Sequence, residues 1–454
     1  MKPMARLFGT DGVRGIAGTE LTAQNCFDIG RAAAMVLTEG CAHKPRILIG
    51  RDTRISGDML EAALTAGFCA AGATAIPVGV IPTPALAWLT REYKADAAAM
   101  ISASHNPMEY NGIKFFNKDG YKLDDALEDR IEAMVRGAVH LGDLPNGADV
   151  GTVERVDTAV EDYISYILTT IDTRLDGIKA AVDCANGSAS LTAPPALRKL
   201  GVDLTVIHSE PNGVNINAGC GSTHMEDIQK LTLETGADIG LAFDGDADRL
   251  LAVDENGNIV NGDQIMAICG SYLKSQGKLK NDTIVATIMS NLGLFQMADR
   301  ESIRIPKTKV GDRYVLEKML EEGDVLGGEQ SGHVIFLEHN TTGDGLITAL
   351  QLLSVMRHTG KKLSELASVM TMLPQVIVNV PIENERKYDY IDDAEIMETI
   401  RQAERIFEDS GRVLIRPSGT EAMIRIMIEG QDQALMQEEA EKIAAVMKRN
   451  LSAQ

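Results

Sequence analysis

The chain has 454 residues, of which 44% are apolar and 24% charged, and it carries a formal net charge of −21. That length exceeds what one core can organise and divides into roughly three or four domains. The acidic balance speaks against non-specific nucleic-acid binding and against anionic membrane surfaces, so a phosphorylated ligand would need a local basic site.

The opening MKPMARLFGTDGVRG has no continuous apolar run, which argues against a secretory leader. No apolar stretch approaches the about 18 residues of a membrane span without a charge or a turn former, and a cytoplasmic location is the default expectation. Cys26, Cys41, Cys69, Cys184, Cys220 and Cys269 include no CxxC pair, so reduced thiols are expected.

From residue 46 the pattern is strand (46–50), charged loop RDTRISG, helix (58–72) and strand (74–80). A second such unit starts at Ile178: a strand to Asp183, the small-residue loop CANGSAS, a helix to Gly201 and a strand to His208. A third starts at Thr283: a strand to Ile288, the loop MSN, a helix to about Arg300 and a strand to Pro306. Strands alternating with helices at these lengths form βαβ units and imply mainly parallel sheets. The expected fold class is therefore three related α/β domains, with a helical stretch inside 152–175 joining the first to the second. The remainder differs. The extended run QVIVNVPI, a charged helix (392–407), two strands (412–416 and 422–429) and a closing helix (433–448) fit a small α+β domain.

Five groups of residues carry chemistry. A buried-strand pattern at 97–101 leads into ISASHNPMEYNGIK (101–114), where Ser102, Ser104, His105 and Asn106 precede the turn formers Pro107, Asn111 and Gly112. A hydroxyl, an imidazole and Lys114 on one constrained loop suggest a nucleophile with electrostatic helpers. Taken alone, the stretch reads first as a polar strand–turn–strand connection. After the apolar IGLAF come Asp244, Asp246, Asp248 and Arg249, and three alternating carboxylates repel one another unless a hard cation such as Mg²⁺ sits among them. The competing readings are a solvated acidic turn and an aspartyl-phosphate phosphatase with Asp244 as nucleophile. An EF-hand is excluded because Arg249 stands where that loop needs glycine.

The third group, Gly327 to His333, offers Glu329 and Ser331 as hydrogen-bonding partners for sugar hydroxyls, or is simply a glycine-rich turn beside the strand VIFL. In the fourth, Arg416, Ser418, Gly419, Thr420 and Arg425 have the composition of a phosphate nest, the local basic site that the net charge demands. Two arginine-bearing loops complete the set. Arg14, between glycines, is the better candidate for reaching a substrate, whereas Arg51 with Asp52 reads as a structural ion pair.

ISASHNPMEYNGIK, DGDADR, GEQSGH and RPSGTE occur in the order and approximate spacing of the α-D-phosphohexomutase superfamily, which the chain resembles over essentially its whole length. That resemblance implies four domains around a deep central cleft, placed at 1–153, 154–255, 256–370 and 371–454, each contributing one of these loops. It implies that Ser104 is a phosphoserine and that Asp244, Asp246 and Asp248 ligate one Mg²⁺ per chain, with a phosphate oxygen on Ser104 completing the site. Arg14 and Arg249 would lie near the transferring phosphate. Lys114 and His333 resemble the general acid/base candidates, and Glu329 with Ser331 the sugar contacts. Arg416, Ser418, Gly419, Thr420 and Arg425 match the loop for the non-reacting phosphate. Ala422 departs from the pattern, which has proline there. FGTDGVRG, NAGCGSTH (217–224) and Gln330 resemble the amino-sugar members. The implied partner is a phosphorylated hexosamine, with glucosamine or glucose 1,6-bisphosphate as intermediate or activator. Bacterial members often pair as homodimers through the first domain. A non-catalytic sugar-phosphate binder, and a glucose or mannose preference, stay open.

Overall fold

The strands of the first sheet are β1 (Val13–Ile16), β2 (Arg46–Arg51), β3 (Thr74–Val80), β4 (Ala97–Ile101) and β5 (Tyr110–Asn117), in the order β1-β5-β4-β2-β3. Strands β2, β3 and β4 run parallel, while β5 returns antiparallel to β4 and β1 is antiparallel to β5. This is a computed structural model that describes residues 6–9, 11–138, 144–408, 410–418 and 422–451. A second sheet contains β6 (Lys179–Asp183), β7 (Asp203–Ile207), β8 (Ile239–Phe243), β9 (Leu250–Asp254) and β10 (Ile259–Val260). A third contains β11 (Val285–Thr287), β12 (Lys307–Thr308), β13 (Leu326–Gly328) and β14 (Val334–Phe336).

One topology recurs in all three. The strand orders β5-β4-β2-β3, β9-β8-β6-β7 and β14-β13-β11-β12 are the same arrangement, a parallel three-strand core closed by one antiparallel return strand. The middle strands explain why. β4 (AAAMI) and β8 (IGLAF) are wholly buried, as expected for strands covered on both faces by crossover helices. The expected class of α/β domains with mainly parallel, mixed sheets therefore holds.

The turn from each buried strand to its return strand lies at the carboxyl edge of the parallel core, where open α/β sheets place ligands. Residues 102–109 fill it between β4 and β5, 244–249 between β8 and β9, and 329–333 between β13 and β14. Three motifs, beginning at 102, 244 and 329, thus occupy equivalent places in a repeated frame.

One edge differs from expectation. The third unit's final strand pairs at Lys307–Thr308 rather than ending at Pro306. Pro306 has no N–H to donate and contributes its carbonyl alone, which accepts from Ala286.

The chain divides into two compact units, residues 1–289 with 302–369, and residues 290–301 with 370–454. The helix Leu292–Glu301, placed by periodicity within the third α/β unit, belongs to the second of these. There the Asn291 side chain donates to the Leu373 carbonyl at 2.9 Å and accepts from the Leu373 amide at 3.0 Å, tying the helix start to the segment that leads into the last sheet. That sheet is antiparallel, with β15 (Gln375–Pro381), β16 (Arg412–Pro417) and β17 (Met423–Glu429) in the order β15-β17-β16. Helices Ala394–Phe407 and Gln433–Leu451 cover it through Ile396, Ile400, Phe407, Met436, Ile443 and Met447. This is the expected α+β domain. No helix among the described residues is long and apolar enough to cross a membrane.

Candidate active site

Ser104 adopts a left-handed backbone (φ +51°), a conformation a non-glycine residue holds only at a cost of about 1–3 kcal/mol. Its surroundings supply the restraint. The Ser104 amide donates to Ser102 Oγ at 2.9 Å, and its carbonyl accepts from Arg54 Nη2 at 3.2 Å and Asn217 Nδ2 at 2.9 Å. Arg54 is ion-paired with Asp52, both fully buried, and Asp52 accepts from Ser102 Oγ at 2.7 Å. The expected Arg51–Asp52 pair does not form. Arg51 instead meets Asp58 at 2.7 Å and Glu61 at 3.2 Å. Arg51 ends β2 and its successor points to the opposite face, so the two side chains diverge.

This loop aims the Ser104 hydroxyl at the acidic turn. Ser104 Oγ donates to Asp244 Oδ2 at 2.6 Å and lies 3.3 Å from His105 Nδ1. Asp244, Asp246 and Asp248 are all buried, with ligand oxygens within 4.8 Å of one another. Asp246 Oδ1 and Asp248 Oδ1 are buried without a hydrogen-bond partner, a costly state that a cation would relieve. Hard oxygen donors in this number suit Mg²⁺, so the residues present fit the ion that the resemblance implied.

The charges are uneven. Burial, and then repulsion from Asp248 and Asp246, push the Asp244 carboxyl well above the ordinary range. Burial also opposes ionisation of Asp246, but Lys114 and the hydroxyl of Thr83 outweigh it and hold Asp246 below that range. Thr83 Oγ1 donates to Asp246 Oδ2 at 2.6 Å and Lys114 Nζ to the same oxygen at 3.0 Å. Lys114, on β5, also reaches Asp11 Oδ2 at 3.0 Å and Asp248 Oδ2 at 3.7 Å. Burial works against its charge, yet these carboxylates keep its pKa above that of an ordinary lysine.

The remaining groups surround this pair of turns. The Arg249 amide donates to Asp244 Oδ1 at 3.2 Å, and Arg14 on β1 pairs with Asp11 at 2.5 Å. Burial, Arg249 and Arg14 together lower His105 to about 4, which leaves its imidazole neutral. His333 Nε2 lies 3.5 Å from Asp312 Oδ2 and 3.9 Å from Asp248 Oδ2. Asp312 is ion-paired with Lys122, which reaches Asp11 Oδ1 at 2.7 Å. A cavity of about 180 Å³ opens beside these groups, lined in part by Lys122, Asp312, His333 and Thr342. Glu329 Oε1 accepts from the Gly311 amide at 3.0 Å, and Ser331 is exposed. Ser104, Lys114, the three aspartates, Arg14, Arg249, His333, Glu329 and Ser331 thus all lie in one compact unit.

The second unit carries the other group. Arg416 and Arg425 are direct cross-strand partners on β16 and β17. Like charges opposite one another destabilise a ladder unless an anion offsets them. The Ser418 amide donates to the Met423 carbonyl at 2.9 Å, and Lys387 donates to the Ser418 carbonyl. Gly419 and Thr420 lie outside the described residues.

The alpha/beta/alpha domains I, II and III of phosphoglucomutase/phosphomannomutase match residues 5–139, 161–257 and 261–373, and the C-terminal domain matches 377–446. The chain belongs to the phosphoglucomutase/phosphomannomutase family. Among curated family members, the phosphoglucosamine mutase of Acetivibrio thermocellus is 58% identical over 448 residues, covering 99% of this chain and 100% of that one. A solved phosphoglucomutase/phosphomannomutase family protein from Burkholderia thailandensis shares the fold at a TM-score of 0.83 and 24% identity, covering 98% of this chain and 97% of the other. The Aspergillus fumigatus N-acetylphosphoglucosamine mutase, solved in complex with GlcNAc-6P and magnesium, shares it at 0.67 and 16% identity, covering 98% and 96%. The superfamily resemblance drawn from four motifs is borne out.

Residues that motif reading did not single out contact these groups. Asp11 and Asn217 lie inside quoted motifs, FGTDGVRG and NAGCGSTH, and could have been found there. Thr83, Lys122 and Asp312 stand in no motif. Lys122 and Asp312 are 190 positions apart and meet only because their loops converge.

Proposed function

We propose that the protein is an isomerase interconverting glucosamine 6-phosphate and glucosamine 1-phosphate, through a phosphoserine at Ser104 and a 1,6-bisphosphate intermediate. The observation that carries this reading is the 2.6 Å contact from Ser104 Oγ to Asp244 within a carboxylate set that has two orphaned oxygens. A rigidly held hydroxyl beside a cation-seeking cage is what reversible phosphoryl transfer needs, since that chemistry depends on positioning and charge neutralisation. The name borne by the 58%-identical relative supports the amino-sugar substrate.

In the forward half-reaction the bond between Ser104 Oγ and phosphorus breaks as the sugar O1 bonds to phosphorus and gives up its proton. The bisphosphate turns over, and Ser104 Oγ takes the phosphoryl group from O6, which regains a proton. Lys114 and His333 are the general acid/base candidates; the carboxylates that keep Lys114 charged make it chiefly a hydrogen-bond donor, while His333 and His105 are the imidazoles placed to exchange a proton. Arg14 and Arg249 supply positive charge for the phosphoryl oxygens, and Glu329 with Ser331 orient the sugar hydroxyls. Asp244, Asp246 and Asp248 would hold Mg²⁺, which supplies charge neutralisation when bound. On the second unit, Arg416, Ser418, Gly419, Thr420 and Arg425 bind the phosphate that is not being transferred. The product would enter UDP-N-acetylglucosamine and cell-wall precursor synthesis in the cytoplasm.

An aspartyl-phosphate phosphatase built on Asp244 fits less well. Both Asp244 oxygens are engaged, by Ser104 Oγ and the Arg249 amide, and its carboxyl is pushed toward the protonated form. One pair of variants separates the readings. Ser104→Ala should abolish nearly all isomerisation, whereas Asp244→Asn should chiefly disturb metal use; full activity without Ser104 would sink the mutase reading. A coupled assay on glucosamine, glucose and mannose 6-phosphates tests the sugar, and a clear preference for mannose would replace this assignment.

A further inference from the structure

A second cluster of metal-ligating side chains sits behind the acidic turn and takes no part in the chemistry above. Asp183 ends β6, His208 follows β7, and Cys220 lies in the loop between β7 and β8. Their ligand atoms fall within 4.8 Å of one another, and Asp183 and Cys220 are fully buried. We propose that Asp183, His208 and Cys220 form a binding site for a zinc-class divalent cation, separate from the all-carboxylate Mg²⁺ site.

The donor set selects that class of ion. A thiolate, an imidazole and a carboxylate are the ligands of Zn²⁺, whereas Mg²⁺ requires oxygen donors. Tetrahedral bonds of about 2.0–2.3 Å set ligand atoms roughly 3.5 Å apart. His208 Nδ1 lies 2.9 Å from Asp183 Oδ2, drawn in by their hydrogen bond, and the Cys220 thiol lies within 4.8 Å of both. The charges also balance. The Cys220 thiolate and Asp183 carboxylate bring two negative charges to a buried place, His208 binds as the neutral ring, and one divalent ion cancels the sum. Binding displaces the Cys220 thiol proton to solvent and changes no oxidation state.

The outer contacts are those of a ligand set held in place. Asp183 Oδ1 accepts from the Ala185 amide at 2.8 Å and Oδ2 from the Gly221 amide at 2.9 Å, so the carboxylate cannot swing away. The other ring nitrogen, His208 Nε2, lies 3.5 Å from Asp227 Oδ2. In the ion-free chain Nδ1 carries the proton it donates to Asp183 Oδ2; an ion taking Nδ1 moves that proton to Nε2, which faces the Asp227 carboxylate. A rival cluster, Cys41, His43 and Asp96, lacks this enclosure, since the His43 side chain is 61% exposed.

The site bears on catalysis through one loop. Asn217, three residues before Cys220, donates to the Ser104 carbonyl, and a Cβ on Gly221 would lie 2.5 Å from the carbonyl oxygen of Phe243, next to Asp244. An ion at Cys220 therefore stiffens the segment that holds both the serine and the metal turn.

The test does not use mutase activity, so its failure is distinct from failure of the proposed reaction. Chelator-treated protein in excess Mg²⁺ is titrated with Co²⁺ under reducing, thiol-free conditions while the thiolate-to-cobalt charge-transfer absorption is followed. The band should appear in the unaltered chain and in Cys41→Ser, and vanish in Cys220→Ser. His208→Gln and Asp227→Asn should keep the band and raise the half-saturating Co²⁺ concentration by about tenfold or more. Absence of the band from the unaltered chain, its persistence in Cys220→Ser, its loss in Cys41→Ser instead, or an unshifted half-saturation in His208→Gln each overturns the proposal.

Discussion

The side-chain amide of Asn217 crosses 113 positions of the chain to donate to the main-chain carbonyl of Ser104 at 2.9 Å. Arg54 donates to that same carbonyl, so its removal leaves the oxygen satisfied and the loop looser. Asn217→Ala should therefore cost only about 1 kcal/mol of stability, while kcat falls more than KM changes, because the hydroxyl is no longer held. Steady-state kinetics alongside thermal melting measure both. A pure KM effect would place Asn217 in substrate binding instead.

Arg54 and Asp52 form a fully buried ion pair beneath this loop. Arg54→Met strands the Asp52 carboxylate, and breaking such a pair from one side costs about 3–5 kcal/mol. Adding Asp52→Asn to it should recover part of that loss. Urea unfolding of the two variants tests the claim, and equal destabilisation in both would refute it.

Asp246 Oδ1 and Asp248 Oδ1 accept no hydrogen bond in the acidic turn. Chelation should abolish isomerisation reversibly, and Asp246→Asn should raise half-saturating Mg²⁺ by about tenfold or more, the scale seen when metal-site partners are lost. Lys114 already neutralises part of this charge, so metal removal should leave the chain folded. An unchanged Mg²⁺ requirement in Asp246→Asn would exclude it as a ligand.

The neighbouring small-residue loop leaves no room above the metal turn. A Cβ on Gly187 would stand 2.4 Å from the Gly245 carbonyl oxygen and 2.8 Å from its Cα. Gly187→Ala should displace the acidic turn, with an overpacking cost of about 1–3 kcal/mol. Weakened Mg²⁺ binding, read by the metal-dependent shift in melting temperature, is the expected outcome.

Glu128, in the first turn of the helix Asp125–Val135, has its carboxyl pushed up to about 7 by burial and by Asp125, against the pull of Arg6. An acid whose folded pKa is raised favours folding while protonated. That contribution is full below the unfolded value near 4.5 and is lost as pH rises through about 7. Glu128→Gln should therefore gain melting temperature relative to the unaltered chain between pH 5 and 7.5. A difference that stays flat over that range would falsify the assignment.

The sequence by itself determined the alternation of strands and helices and the composition of the reactive turns. Both are local. Short apolar segments such as AAAMI and IGLAF, followed by polar turn formers, read as buried strands, and Ser104 or Asp244 to Asp248 come just after them. Tertiary structure decided what those turns meet. That Ser104 Oγ donates to Asp244 rather than to solvent depends on two turns from different sheets meeting, 140 positions apart in the chain. The same is true of the partners no motif reveals: Arg54 turning to Asp52 and away from Arg51's face, Lys122 reaching Asp312, and Asp183 beside His208 and Cys220. Such contacts depend on the direction of each side chain and on which loops converge, and the spacing of residues along a chain carries neither.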